Sequence, residues 1–144
     1  MIAIGCDHGG FALKQEMISY LQKNGYEYQD FGTYDTESCD YPVYGEKVAR
    51  AVASGACEKG LLFCGTGVGI SLAANRVKGI RAVVCSEPYS AEMSRRHNNA
   101  NVLCLGGRVV GPGLAEQVVD IWLRTEFEGG RHDRRIHLLE SIAP

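Results

Sequence analysis

Four short apolar runs punctuate this chain: IAIGC (Ile2–Cys6), GLLFC (Gly60–Cys64), RAVVC (Arg81–Cys85) and NVLCLG (Asn101–Gly106). Each is nearly continuous in apolar residues rather than alternating, which suits strands covered by helices on both faces. A more polar run, YEYQDF (Tyr26–Phe31), supplies one further strand after the first. Between the strands the apolar spacing changes to that of helices. Leu13, Met17, Tyr20 and Leu21 share one face of a helix that closes at Gly25. Asp40 and Pro42 open another, carrying Tyr44, Val48, Ala51 and Val52 and ending near Gly55. Helices are predicted from about Val68 to Val77, and from Ser86 and Pro88 to about His97. Two more follow: one after Gly111-Pro112-Gly113 with Leu114, Val118, Ile121 and Trp122 on its apolar side, and one from about Arg131 to Ile142.

Strand and helix thus alternate to the end, which predicts a doubly wound α/β domain over residues 1–144 with a parallel five-stranded sheet. The expected strand order is 2-1-3-4-5, the flavodoxin-like arrangement. The final helix lies beyond that minimal pattern and is free to pack on a second subunit. A chain of 144 residues is long enough to build one core without metal or disulfides. Its net charge of -2 carries no nucleic-acid footprint. No window approaches the ~18 apolar residues of a membrane span. The start, MIAIGCDHGG, lacks a basic segment followed by a long apolar one, so a cytoplasmic protein is expected. The six cysteines are scattered and form no CxxC pair, which predicts free thiols and leaves a zinc site or a dithiol redox pair without support.

In open α/β sheets the ligand lies beyond the carboxyl ends of the strands, where the strand order reverses. With this order, that point falls between the first and third strands. The loops there are CDHGG and CGTGVG, which places Asp7 and His8 opposite Cys64 and Thr66. A glycine loop leading into a helix lets backbone N–H groups converge on an anion. Dinucleotide binding would want GxGxxG after the first strand, whereas GxGxG follows the third here. A cysteine phosphatase loop would need arginine six residues after the nucleophile, where Ile70 stands. A third chemistry uses a thiolate as base and the amides as an oxyanion hole, since cysteines at helix N-termini are stronger acids than free ones. Cys64 read alone fits that base or a buried strand-end residue equally well.

Other side chains add to this picture. Arg131 and Arg135 in GGRHDRR stand four apart on one helix face, where two guanidinium groups can hold a phosphate or simply face solvent. Arg108 follows the fifth strand. His97, in SRRHNNAN, falls at a helix C-terminus, the place of a proton donor or of a structural cap.

Taken together, GCDHGG, DYP, CGTGVGIS, GIRAVVCSEPYSAEMSRRHNNANVLCLGGRVVG and EGGRHDRR resemble the ribose-5-phosphate isomerase B family of sugar-phosphate isomerases, in the same order from Ile2 to about Leu139. The resemblance implies an aldose-ketose isomerase acting on D-ribose 5-phosphate and D-ribulose 5-phosphate in the non-oxidative pentose phosphate pathway. It implies that Cys64 moves a proton between C1 and C2 while the backbone of Gly65, Thr66, Gly67, Val68 and Gly69 holds the enediolate. Thr66 and His97, with Asp7, would assist ring opening. His8, Arg108, Arg131 and Arg135 would bind the phosphate, and Asn98 would contact the substrate beside His97. A second branch of the family has a glutamate base where Ile70 stands, so this chain matches the cysteine branch. The resemblance further implies a homodimer or higher oligomer with sites shared between subunits, and neither metal nor redox cofactor. Two alternatives are a six-carbon substrate such as allose 6-phosphate, and a sugar-phosphate binding protein without catalysis.

Overall fold

The computed structural model describes residues 1–143. The elements are β1 (Ile2–Cys6), α1 (Phe11–Lys23), β2 (Tyr28–Asp30), α2 (Tyr41–Ala53), β3 (Lys59–Cys64), α3 (Val68–Ala74), β4 (Ala82–Val84), α4 (Pro88–Arg96), β5 (Val102–Gly106), α5 (Pro112–Arg124) and α6 (Arg131–Ser141). A single 3-10 turn, His8–Gly10, bridges β1 and α1. Every strand pairing is parallel. Positions follow the apolar spacing: Leu13, Met17, Tyr20 and Leu21 are buried along α1, and Gly25, at φ +74°, turns the chain out of the helix.

The strand order is β2-β1-β3-β5-β4, so the expected 2-1-3-4-5 is corrected at its far edge, where the last two strands exchange places. The reason is physical. β5 is five residues long and buried throughout, as an interior strand must be, whereas β4 is three residues long with Val84 exposed. Short, half-covered strands serve as sheet edges, and β2 closes the other edge in the same way. RAVVC is apolar in composition without being buried on both faces. The reversal between β1 and β3 is unaffected, so the crevice stays where it was expected.

Two apolar layers sandwich the sheet. One joins Ile4, Phe63, Leu103 and Leu105 to Met17 and Leu21 of α1, Ala91 of α4, and Val118 and Trp122 of α5. The other joins Leu62 and Cys104 to Val48 and Val52 of α2, and Ile70 and Ala74 of α3. Helix α6 lies outside both layers: His132 is its one buried residue, and Leu138 and Leu139 are exposed. No helix among the described residues is long and apolar enough to cross a membrane.

Candidate active site

The loops after β1, β3 and β5 meet at the carboxyl edge of the sheet because glycines let their backbones touch. A Cβ on Gly10 would lie 2.3 Å from the Phe63 carbonyl, one on Gly107 would lie 2.6 Å from Gly9 O, and one on Gly106 would lie 2.7 Å from the Thr66 carbonyl. Gly67 adopts φ +83° at the head of α3, a conformation that favours glycine. These approaches bring CDHGG against CGTGVG, as expected, and add GGR from the end of β5.

Cys64 is buried at the tip of β3, and its Sγ accepts the Gly67 N–H at 3.0 Å. Thr66 is exposed at the mouth, its Oγ1 accepting the Val68 N–H at 3.1 Å. Gly65 and Gly69 lie partly exposed beside them. Asp7 is buried; its Oδ1 accepts the N–H groups of Gly9 at 2.9 Å and Gly10 at 3.2 Å, so it shapes the loop that carries His8. His8 Nδ1 accepts the Cys39 N–H at 3.2 Å. The Arg108 N–H donates to Gly65 O at 3.0 Å, and its guanidinium lies over Gly65, where an added Cβ would come within 3.3 Å of Nη1. A thiol with a donor on its sulfur thus sits beside a row of loop amides, an imidazole and a guanidinium.

The remaining expected residues gather elsewhere. α4 runs back along the sheet, so His97 and Asn98 at its end reach the amino edge of the strands. Asn101 O there accepts the Gly60 N–H at 2.9 Å, at the start of β3. Arg81 holds this turn through Asn98 O and Asn99 O, each at 3.1 Å from its Nε, and pairs with Glu140 of α6 at 2.6 Å. His97, Asn98, His132 and Arg135 line a cavity of about 190 Å³. Arg131 begins the same helix, beside His132. β3 separates this cluster from Cys64 by about 16 Å, at about 3.3 Å per residue. Within one chain, Cys64, Thr66, Asp7, His8 and Arg108 are together, while His97, Asn98, Arg131 and Arg135 form a second group at the opposite edge.

His132 is the member of that second group with no role assigned from sequence. Its ring stacks on His97 with centroids 4.3 Å apart and planes 18° from parallel. Burial, reinforced by His97 and Arg131, pulls its pKa below the ordinary value, while Glu128 opposes the shift. The available signal was its place in GGRHDRR between Arg131 and Arg135. Donor atoms of His97, Glu128 and His132 all lie within 4.8 Å of one another. Stacked rings suit a shared cation poorly, because an ion between the two nitrogens would lie far out of both ring planes. Sequence spacing gives Tyr41 no role in the site either, yet its ring covers Gly69, where an added Cβ would come within 3.0 Å of it.

The other cysteines divide by environment. Burial pushes the Cys6 thiol up to about 12 and that of Cys85 to about 11, and it raises Cys57 and Cys104 as well. These four remain thiols at neutral pH and pack. Cys39 is partly exposed.

The family model described as ribose/galactose isomerase matches residues 2–139. This chain belongs to the ribose/galactose isomerase family. Ribose-5-phosphate isomerase B of Escherichia coli K12 is 56% identical over 141 residues, covering 98% of this chain and 95% of that protein. The structure of Clostridium thermocellum ribose-5-phosphate isomerase B superposes with a TM-score of 0.97 at 57% identity, covering 98% of this chain and 95% of the other. That of a Thermotoga maritima ribose 5-phosphate isomerase gives a TM-score of 0.95 at 49% identity, covering 97% of each chain. As a member of the ribose/galactose isomerase family, the protein is a sugar-phosphate isomerase.

Proposed function

We propose that this isomerase interconverts D-ribose 5-phosphate and D-ribulose 5-phosphate through a cis-enediolate, in a site completed by a second copy of the chain. Cys64 as thiolate removes the proton from C2 of the open-chain aldose and returns it to C1. The charge that develops on the sugar oxygens is met by the loop amides from Gly65 through Val68 to Gly69, in the manner of an oxyanion hole. Thr66 and His97, with Asp7 shaping the floor, serve ring opening and proton movement on the oxygens. His8 and Arg108 from one copy, and Arg131 and Arg135 from the other, hold the phosphate, and Asn98 contacts the sugar beside His97. One carbon of the sugar is reduced as its neighbour is oxidised, the proton passing through the Cys64 thiol, where it can exchange with solvent, and amides bear the oxyanion, so neither metal nor redox cofactor enters the scheme.

The observation that carries this reading is the contact of Cys64 Sγ with the Gly67 N–H at 3.0 Å, in a loop flanked by His8 and Arg108. The separation of the second cluster to the far edge of the sheet supports a shared site, since one chain cannot bring His97 to Cys64. An isologous dimer can bring each cluster to its partner's opposite one. The free cysteines fit a reducing compartment, which supports action in the cytoplasm.

Incubating the purified protein with ribose 5-phosphate in deuterated water tests the chemistry. Deuterium entering the carbon skeleton as ribulose 5-phosphate forms is the expected result; tight binding with no exchange would make this a binding protein instead. Measuring kcat/KM for allose 6-phosphate in parallel settles the chain length. A higher value there would replace the five-carbon substrate by a six-carbon one.

A further inference from the structure

Lys14 lies on α1 with its side chain wholly out of water. Its Nζ donates to both carboxylate oxygens of Asp30, at 2.8 and 2.9 Å, and to Thr33 O at 2.6 Å. The rings of Phe11 and Tyr34 flank the ammonium at 5.5 and 5.3 Å. A buried ammonium is tolerated only when its donors are met, and here three acceptors meet three N–H groups. Those acceptors all belong to the start of the segment that runs from Asp30 to Tyr41.

That segment is the outer wall of the Cys64 crevice. Gly32 N–H donates to Asp30 Oδ1 at 2.9 Å, Gly32 O accepts the Cys6 N–H at 2.6 Å, and Thr33 N–H donates to Cys6 O at 2.7 Å. Its beginning is thereby clamped to the end of β1, one residue before Asp7. Its far end is the Tyr41 ring over Gly69. Between these anchors, the Cys39 N–H donates to His8 Nδ1. An amide has only a proton to give, so Nδ1 is the bare nitrogen, and the neutral ring carries its hydrogen on Nε2.

We propose that Lys14 is a positioning residue for substrate binding: by anchoring residues 30–41 it keeps the Cys39 amide against His8 and holds that ring as the Nε2–H tautomer, aimed to donate to the phosphate. The inference rests on the reading of His8 as a phosphate contact given above. Lys14 itself touches no substrate. Its effect passes through Asp30 and Thr33 to the wall, and through one backbone N–H to the imidazole.

The test is Lys14→Met in the whole protein, read by 15N spectra of labelled histidine without ligand and by steady-state kinetics with ribose 5-phosphate. Wild-type protein should show His8 with Nε2 protonated and Nδ1 bare; the variant should show a mixture of tautomers. KM should rise about three- to tenfold, the scale of one weakened hydrogen bond, with kcat within about twofold. A general loss of packing would lower the amount of folded enzyme without changing KM or the tautomer. If Lys14→Met fails to fold, Asp30→Asn keeps the side-chain shape, removes the carboxylate from the ammonium and carries the same readouts. An unchanged His8 tautomer in the folded variant overturns the proposal. His8→Ala separates the two layers of the argument. A KM that rises in His8→Ala but not in Lys14→Met overturns the positioning role, whereas a KM unmoved by His8→Ala overturns His8 as a phosphate contact and the inference with it.

Discussion

His97 stacks on His132 with ring centroids 4.3 Å apart, at the edge of the sheet opposite to Cys64. Two groups of candidate side chains therefore lie at opposite edges of a single chain, and under the proposed mechanism each is incomplete alone. The first has the proposed base, Cys64, and the glycine loop. The second has an imidazole pair and the arginines of α6.

Complementation between subunits is the direct consequence. Cys64→Ala and His97→Ala should each be inactive alone. When the two proteins are mixed, unfolded and refolded together, activity should return to about a quarter of the wild-type level, because half of the random dimers are hybrids with one intact site in two. A mixture as inactive as its components would place Cys64 and His97 in the same chain's site.

Cys64→Ala should lower kcat by about 10²- to 10⁴-fold, the range for removing a general base. Affinity for the sugar phosphate, followed by calorimetry, should be little changed. The folding cost should be modest. Sγ accepts one N–H, from Gly67, and leaving that buried donor unmet costs about 1–3 kcal/mol. Retained turnover would remove Cys64 from the chemistry.

His132 makes stability depend on pH. Its folded pKa lies below the ordinary 6.5 through burial, with His97, Arg131 and Arg135 adding to the shift and Glu128 opposing it. The unfolded chain therefore takes up this proton first as pH falls. Above the unfolded value both states are neutral at this ring and it contributes nothing; below about 6.5 the folded state is progressively destabilised relative to the unfolded one. Urea titrations between pH 8 and 5 should show wild-type stability declining through that window, and His132→Gln should flatten part of the decline. An identical slope in both proteins would contradict the assignment.

Much of this architecture was legible in the residues, for reasons that differ between elements. Apolar runs such as IAIGC and GLLFC announce buried strands, and the glycine loops after them mark where a ligand can approach. The order of the last two strands is not legible, because RAVVC and NVLCLG look alike in composition. Only the tertiary setting makes Val84 exposed and Val102 buried. The arginines of α6 were visible as a pair, but their distance from Cys64 depends on the direction in which α4 and α6 run, which spacing does not encode. Lys14 is a lysine inside a helical pattern and reads as a solvated residue. Its burial follows from Asp30 and Thr33, 16 and 19 residues away.

The glycines at the three loop crossings should be less replaceable than those on open turns. At Gly10 an added Cβ would fall 2.3 Å from the carbonyl carbon and oxygen of Phe63, backbone atoms of the central strand that have no flexible end to yield. Gly10→Ala should cost about 1–3 kcal/mol in urea denaturation, the usual penalty of overpacking. It should also depress kcat, because relief of the clash must push the Asp7–Gly10 loop away from Cys64. Gly113, in the first turn of α5, meets nothing within 4 Å, and Gly113→Ala should leave activity intact and raise stability by at most about 1 kcal/mol through helix propensity. Equal stability for the two variants would mean that the close approach at Gly10 does not hold the loops together.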